Sequence, residues 1–196
     1  MKKRTLKSAL YAAGLSVFLC AAQTQAKDYV VDYQSSKVSF SGTHAGNVFT
    51  GSFGEWKAVI TFDPADLEAS KLTAVFNPAS AKTGNSMYDG TLPQADWFDV
   101  KNHAEAHFVS AGIAAGENGV YDVTGDLTIR GITKPVTFDF TLSDPEQAPV
   151  KAQGTLRINR LDFDIGKKSD APAEWVSRDI AVTLDITANP AEEERP

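Results

Sequence analysis

The sequence predicts an all-β protein: a single antiparallel β-barrel of about eight strands with one or two short helices. Three observations favour this fold. Apolar and polar residues alternate strictly in several segments, turn residues separate these segments, and only two places break the pattern. Because successive side chains of a strand point to opposite faces, each segment has one apolar and one polar face. Many half-buried strands of this kind must close around a shared interior.

The clearest pair of strands lies at residues 121–129 and 136–142. In the first strand the odd-numbered residues are Tyr, Val, Gly, Leu and Ile, and the even-numbered ones are Asp or Thr. Residues 130–135 separate the two strands, and we expect a turn there that uses Gly131. Pro135 would then start the second strand, where its missing N–H costs least. The apolar face is predicted to point inward and to include Leu127, Ile129, Phe138 and Phe140.

Several further segments repeat the alternation. Strands are predicted at residues 29–32, 37–41, 53–62, 72–79, 106–113, 150–159 and 180–187. The longest of them would span roughly 30–35 Å at about 3.3 Å per residue, which suits a tall barrel. Small residues on the inward face, such as Gly125, Ala152 and Gly154, indicate either close packing at a corner of the barrel or an unfilled cavity. The sequence leaves both interpretations open.

Only two places break the β pattern. Residues 92–99 suit one short helix, with Pro93 near its start, and residues 166–177 form a polar loop. Because the helix interrupts the order of strands and carries large apolar groups, we expect it at or just inside the mouth of the barrel. These groups are Leu92, Trp97 and Phe98.

The two ends of the chain are predicted to lie outside the barrel domain, which covers residues 27–189. Residues 1–26 combine a basic start, a short apolar run and a small-residue cleavage site, which is typical of a secretory signal peptide. The apolar run is too short to span a membrane. We therefore expect export to the periplasm. Residues 190–196 are acidic and bounded by proline, and they are predicted to be a disordered tail.

The charge of the chain excludes some partners. It has 19 cationic and 25 acidic residues, and four of the cations lie in residues 1–26, so the exported chain has 15 cations against 25 acids and a net charge of −10. Such a chain is repelled by phosphate backbones, which argues against nucleic acid as a partner. The only cysteine, Cys20, is also in that segment. About 170 residues can bury a core without disulfides.

No motif in the sequence favours catalysis or a metal site. His103 and His107 are four residues apart, and only Glu105 lies near them as a third ligand. His44 follows a strand and precedes Gly46, as a polar residue at the rim would. The paired aspartates lie in turn or cap contexts. Residues 84–86 lack the second glycine of a nucleophile elbow, and no helical pattern follows them. We therefore predict that the protein is not an enzyme and holds no metal.

Several segments resemble the YceI-like family, among them residues 32–51 and the last strand. The most specific is Gly125-Asp126-Leu127-Thr128-Ile129-Arg130-Gly131-Ile132-Thr133-Lys134-Pro135-Val136, and residues 96–99, 106–110 and 159–166 continue the match. The resemblance extends over residues 28–188. It implies a periplasmic, lipocalin-like barrel that binds a long apolar molecule: a polyisoprenoid, an isoprenoid quinone or its precursor, or a fatty amide. It implies no cofactor other than such a bound lipid or quinone.

The family resemblance also suggests partners and site residues. A membrane cytochrome of the b type is the implied protein partner, and a homodimer is left open. Residues 88–92, Tyr-Asp-Gly-Thr-Leu, stand where many members carry Arg-Asp-x-His-Leu, so the contacts to a polar headgroup are not predicted. The residues predicted to line the ligand site are Phe40, His44, Phe53, Trp56, Phe76, Leu92, Trp97, Phe98, Phe108, Leu127, Ile129, Phe138, Phe140, Gly154 and Leu156.

Two other functions compete with a lipid carrier. A small outer-membrane barrel would also alternate, but with its apolar face toward lipid and its polar face inward. A stress-related periplasmic protein without a lipid ligand is the third interpretation. The direction in which the apolar faces point distinguishes the first competitor, and the presence of a cavity bears on the second.

Overall fold

The computed structural model describes residues 26–143 and 147–192. The predicted signal peptide, apart from Ala26, and the last four residues of the predicted tail lie outside the described residues. Within the described residues no helix is long and apolar enough to cross a membrane. The strands are β1 (Lys27–Val31), β2 (Lys37–His44), β3 (Asn47–Phe53), β4 (Trp56–Phe62), β5 (Lys71–Phe76), β6 (Ala81–Lys82), β7 (Ala106–Ala115), β8 (Val120–Ile129), β9 (Ile132–Leu142), β10 (Val150–Asn159) and β11 (Asp179–Pro190). The helical segments are α1 (Ser86–Thr91) and two 3-10 turns, Pro78–Ser80 and Arg160–Phe163.

β1 closes the sheet into a ring. It pairs with β4 on one side and with the end of β11 on the other, where Tyr29 lies opposite Pro190. The ring order is β1-β4-β5-β7-β8-β9-β10-β11, an eight-stranded antiparallel barrel. The predicted fold class is therefore confirmed. β2 and β3 extend the same wall from β11, and the two-residue β6 pairs with the end of β3.

The predicted single strand at 53–62 is wrong, because the chain leaves the ladder at Gly54 and Glu55. The N–H of Gly54 donates to the carbonyl of Ser80 at 3.3 Å, and the N–H of Glu55 donates to the Ser80 hydroxyl at 3.0 Å. These two hydrogen bonds attach the break to the 3-10 turn at Pro78–Ser80 instead of to a neighbouring strand. The result is two strands, β3 and β4, with different partners.

The β8–β9 hairpin has the predicted faces. Val123, Leu127, Ile129 and Phe138 are buried, while Asp122, Thr124, Asp126, Thr137, Asp139 and Thr141 are exposed on the other face. The rings of Phe138 and Phe108 pack at 5.5 Å between centroids, which joins β9 to β7 across the interior. The alternation in the sequence therefore predicts the inward face correctly.

The turn of this hairpin is shorter than predicted. Only Arg130 and Gly131 form it, with φ of +53° and +71°, and Ile129 pairs directly with Ile132. Two residues with positive φ are the tight turn that best matches the twist of a hairpin. Pro135 consequently lies inside β9 and not at its start. It is tolerated there because β9 pairs with β10 only over residues 139–142, so the side of Pro135 away from β8 has no ladder to break.

The helix predicted at 92–99 is also wrong, and the helix of this region lies one segment earlier. The side chain of Asn85 accepts hydrogen bonds from the N–H groups of Met87 and Tyr88, which caps the N-terminus of α1. Pro93 follows two residues after the helix and cannot continue it. Residues 92–99 instead form successive hydrogen-bonded turns.

The barrel interior is packed unevenly. On the side of β7 to β10 and the Arg160–Phe163 turn, large apolar side chains form a buried cluster that includes Phe108, Val123, Leu127, Phe138, Leu156, Phe163 and Ile165. On the side of β5 and β11 the inward apolar side chains are only half-buried, among them Leu72, Ala74, Ile180, Val182 and Leu184. Inward side chains that stay accessible must face an internal space. The barrel therefore has one solid half and one open half.

We predict that truncating the solid half destabilises the barrel strongly. Phe138→Ala should lower the free energy of unfolding by about 3–5 kcal/mol, because it removes a buried ring and leaves a cavity. The control is Thr137→Ala, one residue away on the exposed face, which should cost less than about 1 kcal/mol. Denaturant unfolding of both variants measures the difference. Equal losses would contradict the assigned inward face of β9.

Candidate ligand-binding cavity

An apolar cavity runs the length of the barrel and has a volume of about 250 Å³. Its wall includes Phe49 and Val176 near the β2–β3 hairpin and Leu142 and Val150 at the opposite end. The volume is near the lower end of the roughly 300–1,000 Å³ usual for small-molecule sites. A small volume spread over a whole barrel is narrow, so the shape suits a linear chain better than a bulky ring system.

Aromatic rings concentrate at the two ends of the cavity. Near the β2–β3 hairpin, Phe53 packs on Phe40, Phe76 and Phe98 with centroid separations of 5.3, 5.6 and 6.2 Å. At the opposite end, Phe62, Tyr121 and Phe140 pack on one another at 5.2–6.1 Å. The second group narrows its end with stacked and edge-on rings. The first group lies beside the long connections at residues 77–105 and 160–178, and we refer to this end as the mouth.

The wall contains few polar side chains. Among the described residues, the wall side chains with charged or hydroxyl groups are Tyr29, Thr61, Lys71 and Arg160, and Trp56 and Trp97 add indole N–H groups. Lys71 lies at the start of β5, at the end opposite the mouth, and is exposed. Arg160 lies at the mouth, at the end of β10, and its side chain is only 1% exposed. Of the two charged side chains on the wall, Arg160 is therefore the one that is buried.

Arg160 is satisfied entirely by protein groups. Its Nε donates to the carbonyl of Ser177 at 3.1 Å, and its Nη1 donates to that of Ile165 at 2.7 Å. Its Nη2 donates to the Asp170 carboxylate at 2.7 Å and to the Val176 carbonyl at 2.9 Å. A buried cation is tolerated only when paired and hydrogen-bonded in this way. Arg160 thus fastens the loop after β10 across the mouth.

Asp170, the ion-pair partner of Arg160, also binds backbone groups of its own loop. Its carboxylate accepts hydrogen bonds from the N–H groups of Glu174, Trp175 and Val176 at 2.9, 3.2 and 2.8 Å. Burial by itself would raise the pKa of the Asp170 carboxyl, but these N–H groups and the Arg160 charge outweigh it and hold the pKa below its ordinary value. The pKa of Arg160 is lowered, chiefly by burial, which the Asp170 charge opposes.

A second carboxylate holds the loop to the segment that carries the aromatic residues. Asp96 accepts hydrogen bonds from the N–H groups of Lys168 and Ser169 at 3.0 and 2.8 Å, and from the Ser169 hydroxyl at 2.6 Å. Burial would raise the pKa of Asp96, but these bonds and the Arg130 charge lower it overall. The sequence predicts a local cap for Asp96, whereas its carboxylate binds backbone N–H groups of a loop more than seventy residues later.

Fourteen of the fifteen predicted site residues lie on the cavity wall. Leu92, Trp97 and Phe98 lie at the mouth as expected, although they are carried by turns and not by a helix. The Trp97 ring also faces Arg160, whose guanidinium carbon is 5.8 Å from its centroid. The remaining predicted residues on the wall are Phe40, Phe53, Trp56, Phe76, Phe108, Leu127, Ile129, Phe138, Phe140, Gly154 and Leu156.

His44 is the exception and lies at the rim of the mouth. Its Nδ1 shares a hydrogen bond of 2.9 Å with the hydroxyl of Tyr88 in α1. The Tyr88 ring also packs on Phe49, a wall residue, at 6.1 Å. His44 therefore positions α1 over the mouth and does not itself face the cavity.

The glycines on the inward face do not supply the open volume. A Cβ on Gly154 would lie 2.7 Å from the Asp139 carbonyl oxygen, and one on Gly125 would lie 2.5 Å from the Val109 carbonyl oxygen. Both glycines are therefore required by close approach of neighbouring strands. Ala58 and Ala74, paired side by side on β4 and β5, both face the cavity and are the small residues that leave room.

Sequence reasoning missed several wall residues. The apolar ones on β11, Ile180, Val182, Leu184 and Ile186, could have been found from the alternation that predicted that strand. Arg160 could not, because an arginine after a strand gives no sign that its partners come from a loop five to seventeen residues later.

The histidines predicted as weak metal candidates do not converge. Nε2 of His103 is 3.9 Å from Asp99, while Nε2 of His107 is 3.5 Å from Glu105. In the part of the chain that the structure describes, no three His, Cys, Asp or Glu side chains gather as a metal site would require.

Comparison with known proteins gives consistent matches. The sequence profile described as the YceI-like domain matches residues 29–188. A UPF0312 protein from Pseudomonas syringae pv. tomato is 36% identical over 191 aligned residues, covering 93% of this chain and 96% of the relative. The crystal structure of Burkholderia cenocepacia BcnA matches with a TM-score of 0.77 and 30% identity, over 82% of this chain and 100% of that one. A polyisoprenoid binding domain from Saccharophagus degradans shares the fold at 17% identity, with a TM-score of 0.63 over 83% of this chain and 98% of that one.

We predict that Asp170→Asn destabilises the protein and changes its response to acid. Leaving Arg160 buried without its charged partner should cost about 3–5 kcal/mol at neutral pH. Because folding lowers the pKa of Asp170, its contribution is present above the ordinary aspartate pKa of about 3.9 and is lost as the pH falls through the lower folded value. The variant should therefore lose less stability than the unsubstituted protein between about pH 5 and pH 3.

Denaturant unfolding at a series of pH values measures both effects. Asp122→Asn, on the exposed face of β8, is the control and should change neither the neutral stability nor the acid response appreciably. If Asp170→Asn and the unsubstituted protein lost the same stability on acidification, the ionised Asp170 would not contribute as assigned.

Proposed function

The chain belongs to the YceI-like family, and on that basis we propose that it is a periplasmic carrier of a long-chain polyisoprenoid or isoprenoid quinone, held inside the barrel. The observation that carries this proposal is the apolar cavity that runs from the mouth to the opposite end. Its family and fold fit a barrel that binds an apolar ligand. The polyisoprenoid binding domain with the same fold supports isoprenoids as the class to test first.

The energetics favour a long ligand over a short one. Each buried methylene contributes about 0.8 kcal/mol, whereas association costs roughly 4–15 kcal/mol. A tail of about five carbons therefore cannot offset the cost, while one of about twenty supplies roughly 16 kcal/mol. The narrow cavity would orient such a tail along the barrel axis, and only the methylenes that it encloses contribute this energy.

The polar groups of the wall favour a ligand without a buried charge. Arg160 already donates its N–H groups to Asp170 and to four backbone carbonyls, so it has little to offer an anionic headgroup at the mouth. Lys71 is exposed at the opposite end, where the rings of Phe62, Tyr121 and Phe140 narrow the cavity. A quinone or another neutral headgroup at the mouth would require no new counter-ion.

The proposal also includes a periplasmic location and a protein partner. Periplasmic location is proposed from the signal-peptide pattern of residues 1–26. A b-type membrane cytochrome is proposed as a partner from the family resemblance, since such a protein exchanges electrons with quinones. The proposed role is binding without catalysis. A homodimer is an assembly to be tested by solution mass.

The competing outer-membrane barrel requires the opposite orientation of the strands. In this barrel the charged residues of the strands, including Asp122, Asp126, Lys151 and Arg157, are exposed on the outer face. A membrane barrel needs an apolar outer band at those positions. The outward charges therefore favour the carrier. A stress-related protein without a lipid would leave the cavity empty, which the following experiment detects.

We predict that the protein purified from its own periplasm carries a lipid in about one-to-one ratio, and that filling the cavity abolishes this binding. Native mass spectrometry and lipid extraction identify the ligand. Ala58→Phe places a ring in the cavity beside Ala74 and should remove the lipid while the barrel remains folded. Val59→Phe adds the same ring on the exposed face and should leave the lipid content unchanged.

The outcomes separate the alternatives. Lipid in the unsubstituted protein and in Val59→Phe, but not in a folded Ala58→Phe, supports the carrier. Equal lipid in both variants would contradict binding in this cavity. No lipid in any of the three would favour the stress-related protein.

A further inference from the structure

The β2–β3 hairpin lies in an uncharged part of an otherwise acidic chain. Residues 38–54 are 17 consecutive residues without Asp, Glu, Lys or Arg, in a sequence with 25 acids and 19 cations. The hairpin protrudes at the mouth, with its two-residue turn at Ala45 and Gly46. The hairpin itself therefore brings no charged side chain to a surface that it approaches, although Glu174, next to Trp175, is exposed nearby.

Three exposed apolar side chains surround this hairpin. Val48 is 76% exposed, Met87 is 70% exposed and Trp175 is 62% exposed, and we call these three residues the apolar rim. The segments that carry them meet at the hairpin: the N–H of Ala45 donates to the Trp175 carbonyl at 2.8 Å, and Tyr88, next to Met87, bonds to His44 of the hairpin. The rim therefore combines side chains from β3, α1 and the loop after β10.

The apolar rim is continuous with the cavity. Phe49 and Val176 line the cavity, and their chain neighbours Val48 and Trp175 point outward. His44 forms a bridge with Val176, so the two sides of this junction belong to one sheet. A lipid leaving the cavity at the mouth would pass within one residue of the rim.

We propose that the apolar rim docks onto the neutral surface of a lipid bilayer, so that the mouth opens against the membrane. Tryptophan and exposed aliphatic side chains are favoured at the boundary between headgroups and acyl chains. The net charge of −10 on the exported chain repels anionic lipids, which leaves neutral and zwitterionic surfaces as the partner. The purpose of this docking, though not the docking itself, rests on the proposed carrier function.

Sedimentation with phosphatidylcholine vesicles tests the docking. Val48→Glu and, separately, Trp175→Ala should each weaken binding about tenfold, because each removes one inserted apolar side chain. Val59→Glu is the matched control: Val59 is 68% exposed but lies on β4, away from the rim, and this variant should bind as the unsubstituted protein does. Circular dichroism checks the fold, and Trp175→Ala keeps the test usable if Val48→Glu unfolds.

The outcomes distinguish docking from ligand binding. Vesicle binding that the rim variants lose and Val59→Glu keeps supports the inference, whatever the lipid content of the protein. Equal loss in Val59→Glu, or no binding of the unsubstituted protein, overturns it. Binding to native membranes but not to pure phosphatidylcholine also overturns it, in favour of a membrane protein as partner. Lipid content measured on the same samples shows separately whether the carrier function holds.

Discussion

Closure of the sheet by β1 is the constraint on which the rest of the structure depends. Its residues 27–29 pair with β4 and its residues 29–31 pair with β11, which leaves the ring without an open edge at that point. In a closed ring every strand must send alternate side chains into the same interior. The apolar faces of the eight strands therefore meet whether or not they can fill the space. Here the large side chains of β7 to β10 fill one half, and the alanines and half-buried aliphatic residues of the other half leave a cavity.

An open cavity needs a stable mouth, and the buried ion pair of Arg160 and Asp170 supplies it. The two residues fix the loop that follows β10, and Asp96 fastens the same loop to the turns carrying Trp97. Such a pair contributes little to net stability compared with apolar packing of the same size. It does hold backbone carbonyls and N–H groups in one arrangement, which apolar contacts specify less well. Hydrogen bonds therefore hold the loop in place on the side of the mouth where Arg160 is buried.

The sequence allows most of the barrel to be predicted, because period-two alternation is a local signal that closure does not change. The elements that were predicted at the wrong positions also have local explanations. The Asn85 cap starts α1 earlier than the Trp97–Phe98 pair suggests, and a two-residue turn moves Pro135 into β9. The roles of Arg160 and Gly154 could not be predicted, since each depends on atoms brought close by the fold: loop carbonyls for the first, the Asp139 carbonyl for the second.

The mouth is also where this chain departs from the family pattern. By the resemblance of the sequence, Tyr88 stands where many members carry an arginine; in the structure it bonds to His44 and packs on Phe49. A tyrosine offers an aromatic ring and one hydroxyl group at this position, but it brings no charge. Together with Arg160, whose donors are already used, this leaves a mouth that is aromatic and uncharged toward the cavity. An anionic headgroup would be desolvated there without a counter-ion, at a cost of several kcal/mol. The docking proposed for the apolar rim depends on the absence of charge in the β2–β3 hairpin in a similar way.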